Sequence, residues 1–239
     1  MDTKPITLYT AATPNGFKAS ITLEELGVPY EVRSVDLSKG EQKEAWFLKI
    51  SPNGKIPAIV DHWHDDVAIF DSGALMLYLV EQYGEGNLMP ELMPREPKER
   101  SEVLSWLMFH LSDMGPTQGE AAYYVRTEES NPMAQRRLLK ETKQMYSVLD
   151  KALKGKKFLA GGRFSLADIA HFCWVAFHFH VGISLDDFPN IKEWVYRIYG
   201  REAVKRGLNV PVEFKYKELF QDASTMKKWV EAARKRILD

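Results

Sequence analysis

Three short segments carry residue types that could hold a small charged ligand. Thr13-Pro14-Asn15-Gly16 is a turn ahead of a helical stretch. A helix beginning there leaves unpaired backbone N–H groups and a positive dipole end, a place that stabilises an anion. Thr13 and Asn15 can add donors. The same residues also make an ordinary turn and helix cap. Lys55-Ile56-Pro57-Ala58 puts a proline at the entry to a strand, where it cannot donate to the ladder. A cis bond would turn the Ile56 backbone outward, towards an extended ligand, while trans is the commoner state. Asp71-Ser72 opens a further helix, with Ser72 placed to cap it and Asp71 to complement its dipole. A functional reading pairs opposite charges there. The helix start and Ser72 would take a carboxylate and Asp71 an ammonium, as in an amino-acid head group.

The elements that must position these segments alternate over the first eighty residues. Ile6 to Thr10 and Tyr30 to Asp36 read as strands, and Phe17 to Leu26 between them as a helix stopped by Gly27 and Pro29. Trp46, Phe47 and Ile50 mark a short helix. Ala58 to Asp61 and Val67 to Phe70 read as a hairpin, and Ser72 to Tyr83 as a helix. The order is βαβ, then ββα, so the first two strands are predicted parallel with a right-handed crossover. Gly86 to Pro97 carries three prolines and reads as a linker.

From Lys98 onward no segment has a period of two. Glu99 to Ser112, Pro132 to Leu153, Leu166 to Val181, Ile191 to Gly200 and Met226 to Ile237 read as helices, with a loop-rich region after the first. The stretch from Ile169 to Phe179 is apolar nearly all round, which predicts a central buried helix. The division is 1–85, a linker at 86–97, and an all-helical part at 98–239.

Composition narrows the class. The chain has 239 residues, enough for two domains, and 45% apolar against 27% charged residues is ordinary for a globular protein. Lys plus Arg (32) nearly balances Asp plus Glu (33), so there is no net basic field for nucleic acid. Cys173 is the one cysteine, which excludes an internal disulfide and fits a reducing compartment. The apolar run near the N-terminus is too short for a signal peptide, and Ile169 to Leu185 is too short to span a membrane. A cytoplasmic protein is expected.

Taken together, Thr13 to Gly16, Val35 to Gln42, Ser51 to Asp61, Asp71 to Gly73 and the helical second half resemble the glutathione transferase superfamily. The finer resemblance is to the bacterial nu class and the fungal yeast-prion-like nitrogen-regulator relatives, and Met114-Gly115-Pro116 also matches that subgroup. The resemblance implies a thioredoxin-like N-terminal domain, a helical C-terminal domain, bound glutathione, a homodimer and a cis bond at Pro57. It places Asp71 and Ser72 at the γ-glutamyl head, Ile56 at the cysteinyl unit, and Gln42 and Lys55 near the glycyl end. Arg137 resembles an arginine that reaches across a dimer, or is a solvated helix charge. Met114, Thr117, Tyr123 and Tyr124 are the candidate lining of an acceptor pocket. In the subgroup a Gln-rich run occurs where this chain has Gly119 to Tyr124, which leaves the acceptor open.

The implied chemistry is activation of the glutathione thiol by Asn15 and Thr13. Some classes use a tyrosine near the end of the first strand. Tyr9 stands there, but in this subgroup a tyrosine beside the Thr-Pro-Asn-Gly turn is not the catalytic group, and Tyr9 reads as core. Other classes use a cysteine at the first turn, where this chain has Pro14 and Asn15. Nu-like relatives exchange disulfides with two glutathiones and no catalytic cysteine. Conjugation and peroxide reduction would use the same thiolate. A binding regulator or a hydrophobic-ligand carrier on the same fold is the competing expectation. Two features read as structural. His62, His64, His178 and His180 form His-x-His pairs with no third ligand, so no metal is expected. Ser165 and Asp168 form a capping box, flanked by Phe164 and Ile169 as a staple, for which loss of Asp168 predicts about 1 kcal/mol.

Overall fold

The structure, a computed structural model, describes residues 5–84, 92–127, 131–213 and 228. Residues 86–91 of the expected linker and the expected helix from Met226, apart from Lys228, lie outside these residues. The described residues form two compact units, 5–84 with 92–95 and 199–213, and 96–198.

The first unit is built on a four-stranded mixed sheet. Its strands are β1 (Ile6–Thr10), β2 (Tyr30–Ser34), β3 (Ala58–Asp61) and β4 (Val67–Phe70), in the order β2-β1-β3-β4. β1 and β2 are parallel, joined through α1 (Pro14–Leu26), while β3 is antiparallel to both β1 and β4. α2 (Ala45–Leu48) precedes β3 and α3 (Ser72–Tyr83) follows β4. The β3–β4 hairpin turns at Asp65 and Asp66, both with φ 54°, as a type I′ turn requires. At its base the buried Asp61 carboxylate accepts from the hydroxyls of Tyr78 and Tyr83, both at 2.7 Å, and from His64. Burial alone would raise the Asp61 carboxyl, yet these three donors and the Trp63 amide hold it below the ordinary carboxylate range. One face of the sheet buries Tyr9 with Val35, Phe47 and Ala58. Tyr9 is therefore core, its ring lying 6.1 Å from Trp46 and 6.3 Å from Phe47.

α1 begins at Pro14, three residues before the helix read from sequence. Thr13 is its N-cap, and its hydroxyl oxygen accepts from the Gly16 amide at 3.1 Å. Proline suits the first helical position because its missing N–H would be unpaired there anyway. The segment 199–213 belongs by sequence to the second half of the chain, but it packs with the first unit. Its short helix lies along α1, the Ser20 hydroxyl donating to the Gly207 carbonyl at 2.7 Å. Arg201 meets the Glu25 carboxylate with two bonds of 2.7 Å.

The second unit is helical. It contains α4 (Pro97–Phe109), α5 (Gly115–Arg126), α6 (Pro132–Leu153), α7 (Leu166–Val175) and most of α8 (Pro189–Tyr199); α9 (Glu202–Leu208) follows in the first unit. α7 is buried on nearly every side, as its apolar sequence requires. Two details differ from the sequence reading. Residues 115–126 form a helix rather than a loop-rich region, reached from α4 through a π-turn, His110–Met114. The helix expected to run from Leu166 to Val181 ends at Val175 and gives way to a 3-10 turn at His178–Val181. There His178 Nδ1 donates to the Ile183 carbonyl at 2.5 Å, a contact that holds the chain as it leaves the helix.

The Ser165–Asp168 cap carries more than its local role. Asp168 is fully buried and accepts from the Ser165 amide and hydroxyl, the Leu159 amide and the Trp194 indole. It thus ties α7, the preceding loop and α8 together. Phe164 and Ile169 are both buried beside it.

Candidate functional site

The strand register brings the three chemistry-bearing segments to one end of the sheet. Tyr9 pairs with Ala58, and Ala58 pairs with Phe70. The residues just after β1, just before β3 and just after β4 therefore stand side by side. This end holds the carboxyl terminus of β1 and the N-termini of α1 and α3, where unpaired amides and dipole ends collect.

Asn15 lies in the first turn of α1, two residues beyond the Thr13 cap, and both are partly exposed. Because the Thr13 oxygen accepts from Gly16, its hydroxyl proton remains available to donate outward. Gly16 permits this turn. A Cβ there would stand 2.2 Å from the Ala11 carbonyl oxygen and 2.6 Å from Thr10 Oγ1.

The Ile56–Pro57 peptide is cis. Pro57 is buried, Ile56 half-buried and Lys55 exposed. The Ser51 hydroxyl fixes this segment by donating to the Lys55 carbonyl at 2.9 Å. Gln42 arrives from the other side. A Cβ on Gly54, whose φ is 59°, would stand 2.7 Å from the Gln42 carbonyl oxygen. Lys43 Nζ donates to the Asn53 carbonyl and closes the two loops against each other. The side-chain oxygen of Gln42 is buried with no hydrogen-bond partner among the described residues. An unsatisfied buried acceptor is costly, and here it lies among loops that border the site.

Asp71 has φ 71° and ψ 125°, a region L-residues rarely occupy and one that costs about 1–3 kcal/mol. Its Oδ1 caps α3, accepting from the Gly73 and Ala74 amides at 2.9 and 3.2 Å. Asp71 is exposed, and its Oδ2 accepts no hydrogen bond from the described residues. Ser72 beside it is buried, and its hydroxyl oxygen accepts from Lys18 Nζ at 3.4 Å. Lys18 is 2% exposed on α1 and escaped the sequence reading, in which a lone lysine on a helix passes for a surface charge. The available signal was its position one helical turn beyond Asn15.

The remaining candidates lie in the second unit. Met114 is fully buried in the π-turn. Thr117 and Tyr124 are half-buried and seven residues apart, on one face of α5, while Tyr123 is 60% exposed with its ring 5.3 Å from that of Tyr124. Arg137 stands exposed on α6 in an i,i+4 ion pair with Glu141 at 2.9 Å.

The histidine pairs are engaged locally. His62 bonds Thr7 and Asp66, and His64 bonds Asp61. Burial holds His178 and His180 down at about 4. Among the described residues no three or more His, Cys, Asp or Glu side chains gather as a metal site, and no helix is long and apolar enough to cross a membrane. Cys173 is buried in α7.

Comparison with known proteins matches this architecture. Residues 4–81 match the family described as Glutathione S-transferase, N-terminal domain, and residues 117–202 match Glutathione S-transferase, C-terminal domain. The disulfide-bond oxidoreductase YfcG of Escherichia coli is 39% identical over 208 residues, covering 85% of this chain and 94% of that protein. Protein URE2 of Candida albicans is 31% identical, covering 86% of this chain and 70% of its own length. A crystal structure of a glutathione transferase homologue from Lodderomyces elongisporus, with two glutathiones per subunit, superposes with a TM-score of 0.82. It is 35% identical and covers 87% of this chain and all of that one. The βαβ-ββα unit, its cis-proline segment and the helical unit that follows are those of a single lineage: this chain belongs to the glutathione S-transferase family.

Proposed function

We propose that the protein is a glutathione-dependent thiol–disulfide oxidoreductase that activates the glutathione thiol with Asn15 and Thr13 and uses no cysteine of its own. The observation that carries this reading is the convergence of the Thr13–Asn15 helix start, the Ile56–Pro57 segment and the Asp71–Ser72 helix start at one sheet end. Glutathione fits these groups in order. Its γ-glutamyl ammonium meets Asp71 and its carboxylate Ser72. Its cysteinyl amide lies along the Ile56 backbone, and its glycyl end points to Gln42 and Lys55. The partnerless Gln42 oxygen is an acceptor that such a ligand, or a water it brings, can satisfy.

The energetics are adequate. Lowering a thiol of ordinary pKa by ~2 units needs about 2.7 kcal/mol of preference for the anion. A hydrogen bond to a charged group contributes about 1.5–3 kcal/mol, and a helix terminus about 0.3–1. Asn15, the Thr13 hydroxyl and α1 together reach this without a proton acceptor in the protein. The bound thiolate attacks one sulfur of a disulfide RSSR′, forming a glutathione mixed disulfide and releasing R′S⁻, which takes a proton from water. A second glutathione thiolate attacks the mixed disulfide, giving oxidised glutathione and RS⁻, which likewise takes a proton from water. Two glutathiones are oxidised by two electrons in all, and one disulfide is reduced. The likeness to YfcG supports this reaction over conjugation or peroxide reduction.

The same reading makes the chain a cytoplasmic homodimer in which Arg137 reaches the partner subunit's glutathione. Met114, Thr117, Tyr123 and Tyr124 are the residues this reading assigns to the acceptor. The test is glutathione-dependent reduction of 2-hydroxyethyl disulfide, beside conjugation of chlorodinitrobenzene, for the wild type and Asn15→Ala. Disulfide turnover that collapses in the variant supports the reading. Glutathione binding without turnover of either substrate replaces it with a binding regulator or ligand carrier.

A further inference from the structure

The balanced total charge hides a strong local asymmetry. Residues 132–157, which are α6 and the turn after it, carry eight lysines and arginines against two acidic residues, Glu141 and Asp150. Both acids are engaged. Glu141 pairs with Arg137 at 2.9 Å, and Asp150 accepts from the Asn190 side chain and from the amides of Asn190 and Ile191. At about 100° per residue, Arg136, Lys140, Lys143, Lys151 and Lys154 fall within an arc of about 80° and form a row about 27 Å long. We infer that this stripe is a docking surface for the phosphate backbone of a nucleic acid, bound without regard to base sequence. The inference does not depend on the glutathione reading.

Packing decides which side of α6 faces out. Leu138, Met145, Leu149 and Leu153 bury the opposite face, while Arg136, Lys140, Lys151 and Lys154 are exposed and Lys143 is half-buried. Among the described residues none of the five side chains makes a hydrogen bond or an ion pair, and Arg137–Glu141 is the only ion pair on the helix. The stripe does not stabilise α6 itself. Like charges three and four residues apart repel, as Arg136 does with Lys140 and Lys140 with Lys143. Only Lys151 and Lys154, at the C-terminal end, gain from the helix dipole, which acts within one turn. A row of unpaired cations held on a packed helix is relieved when a polyanion lies along it. Four of the five are lysines, whose ammonium suits phosphate oxygens as a point charge, whereas planar pairing with carboxylates favours arginine. The row is long and narrow, which fits a linear polyanion better than a membrane plane. The one aromatic residue of α6, Tyr146, is buried, so nothing on the helix can stack on bases. At physiological salt exposed charges act over about 8 Å, so the stripe's own surroundings, rather than the balanced total, set its field.

The experiment titrates the whole protein into short fluorescein-labelled DNA duplexes of two unrelated sequences and follows anisotropy as salt is raised. Five phosphate contacts predict a slope of log affinity against log salt of about −4.5, or roughly 500-fold weaker binding at 200 than at 50 mM, equal for both sequences. The double variant Lys140→Gln, Lys151→Gln is expected to make the slope shallower by about two. Both side chains are exposed and unpartnered among the described residues, so the fold is retained, which circular dichroism checks. A control pair, Lys49→Gln with Lys98→Gln, removes two exposed lysines outside the stripe and should leave the slope unchanged. The inference is overturned by no binding at the lowest salt, by a slope that the stripe pair leaves unaltered, or by one that the control pair alters as much. A marked preference for one sequence also overturns it, because that needs base contacts the stripe lacks. Phosphatidylserine vesicles are titrated alongside. Binding to them that depends on Lys140 and Lys151, with none to the duplexes, assigns the stripe to a lipid surface and overturns the inference as well.

Discussion

Gly207 of α9 lies so close to Ile21 of α1 that a methyl group on it would stand 2.7 Å from both the nitrogen and the Cα of Ile21. The two helices touch backbone to backbone, and the Ser20 hydroxyl closes the contact on the Gly207 carbonyl. A segment more than 170 residues downstream thereby completes the packing of the helix that carries Asn15 and Lys18. Ile21 Cγ1 stands at 2.6 Å as well, but the other two obstructing atoms belong to backbone, and no rotamer change relieves those. Gly207→Ala is expected to destabilise the protein by about 2–3 kcal/mol, the upper part of the range for overpacking. Urea unfolding monitored by circular dichroism would show it as a lowered midpoint with an unchanged slope.

Asp168 gives a second stability prediction, larger than the capping role alone. Removing it leaves the buried amides of Leu159 and Ser165 and the Trp194 indole without their acceptor. Each such donor costs roughly 1–3 kcal/mol, so Asp168→Ala is expected to lose about 3–5 kcal/mol in total. Asp168→Asn keeps an oxygen and should lose less. Thermal melts of the two variants would rank them, and equal melting temperatures for Asp168→Ala and wild type would contradict the network.

His178 and His180 set a response to acid. Burial depresses both to about 4, from an ordinary 6.5. The unfolded chain therefore binds more protons than the folded one between about pH 6.5 and 4. Stability is at its full value above that window and falls as the pH drops through it. Replacing both with Asn removes this dependence on pH. The urea midpoint of the double variant should fall less between pH 7 and 5 than that of the wild type, and an identical fall would assign the acid sensitivity to other groups.

Much of this fold is legible in the residues because local signals and packing agree. β1, α1, β2 and the hairpin follow from periodicity and from Gly and Pro stops, and the segments flanking them mark the site. Other features depend on contacts that no local pattern encodes. The region after α4 reads as loop-rich, yet the π-turn lets Pro116 fall in the first turn of α5, and Gly119 sits where a Cβ would stand 3.0 Å from the Trp174 ring. Leu166 to Val181 carries no Gly or Pro and stays largely apolar on both sides of Val175, so nothing in its composition marks the end of α7 there. Lys18 looks like any helical lysine until α3 is laid beside it. The positive φ of Asp71 leaves no trace in residue type at all.

Thr13 and Asn15 separate capping from chemistry. The Thr13 oxygen accepts from the Gly16 amide, so Thr13→Ala removes a helix cap and is expected to cost about 1 kcal/mol of stability as well as weakening thiol activation. Thr13→Ser retains both the acceptor and the outward proton and should behave as wild type. Asn15 follows the cap as the second residue of α1 rather than closing it, so Asn15→Ala leaves the Thr13 cap in place and should raise the pKa of bound glutathione by one unit or more. A hydrogen bond to a charged group of about 1.5 kcal/mol corresponds to one such unit. The thiolate absorbance near 240 nm, titrated in the complex, reads the pKa directly. An unchanged pKa in Asn15→Ala, with a raised one in Thr13→Ala, would transfer the activating role to Thr13 and the helix start alone.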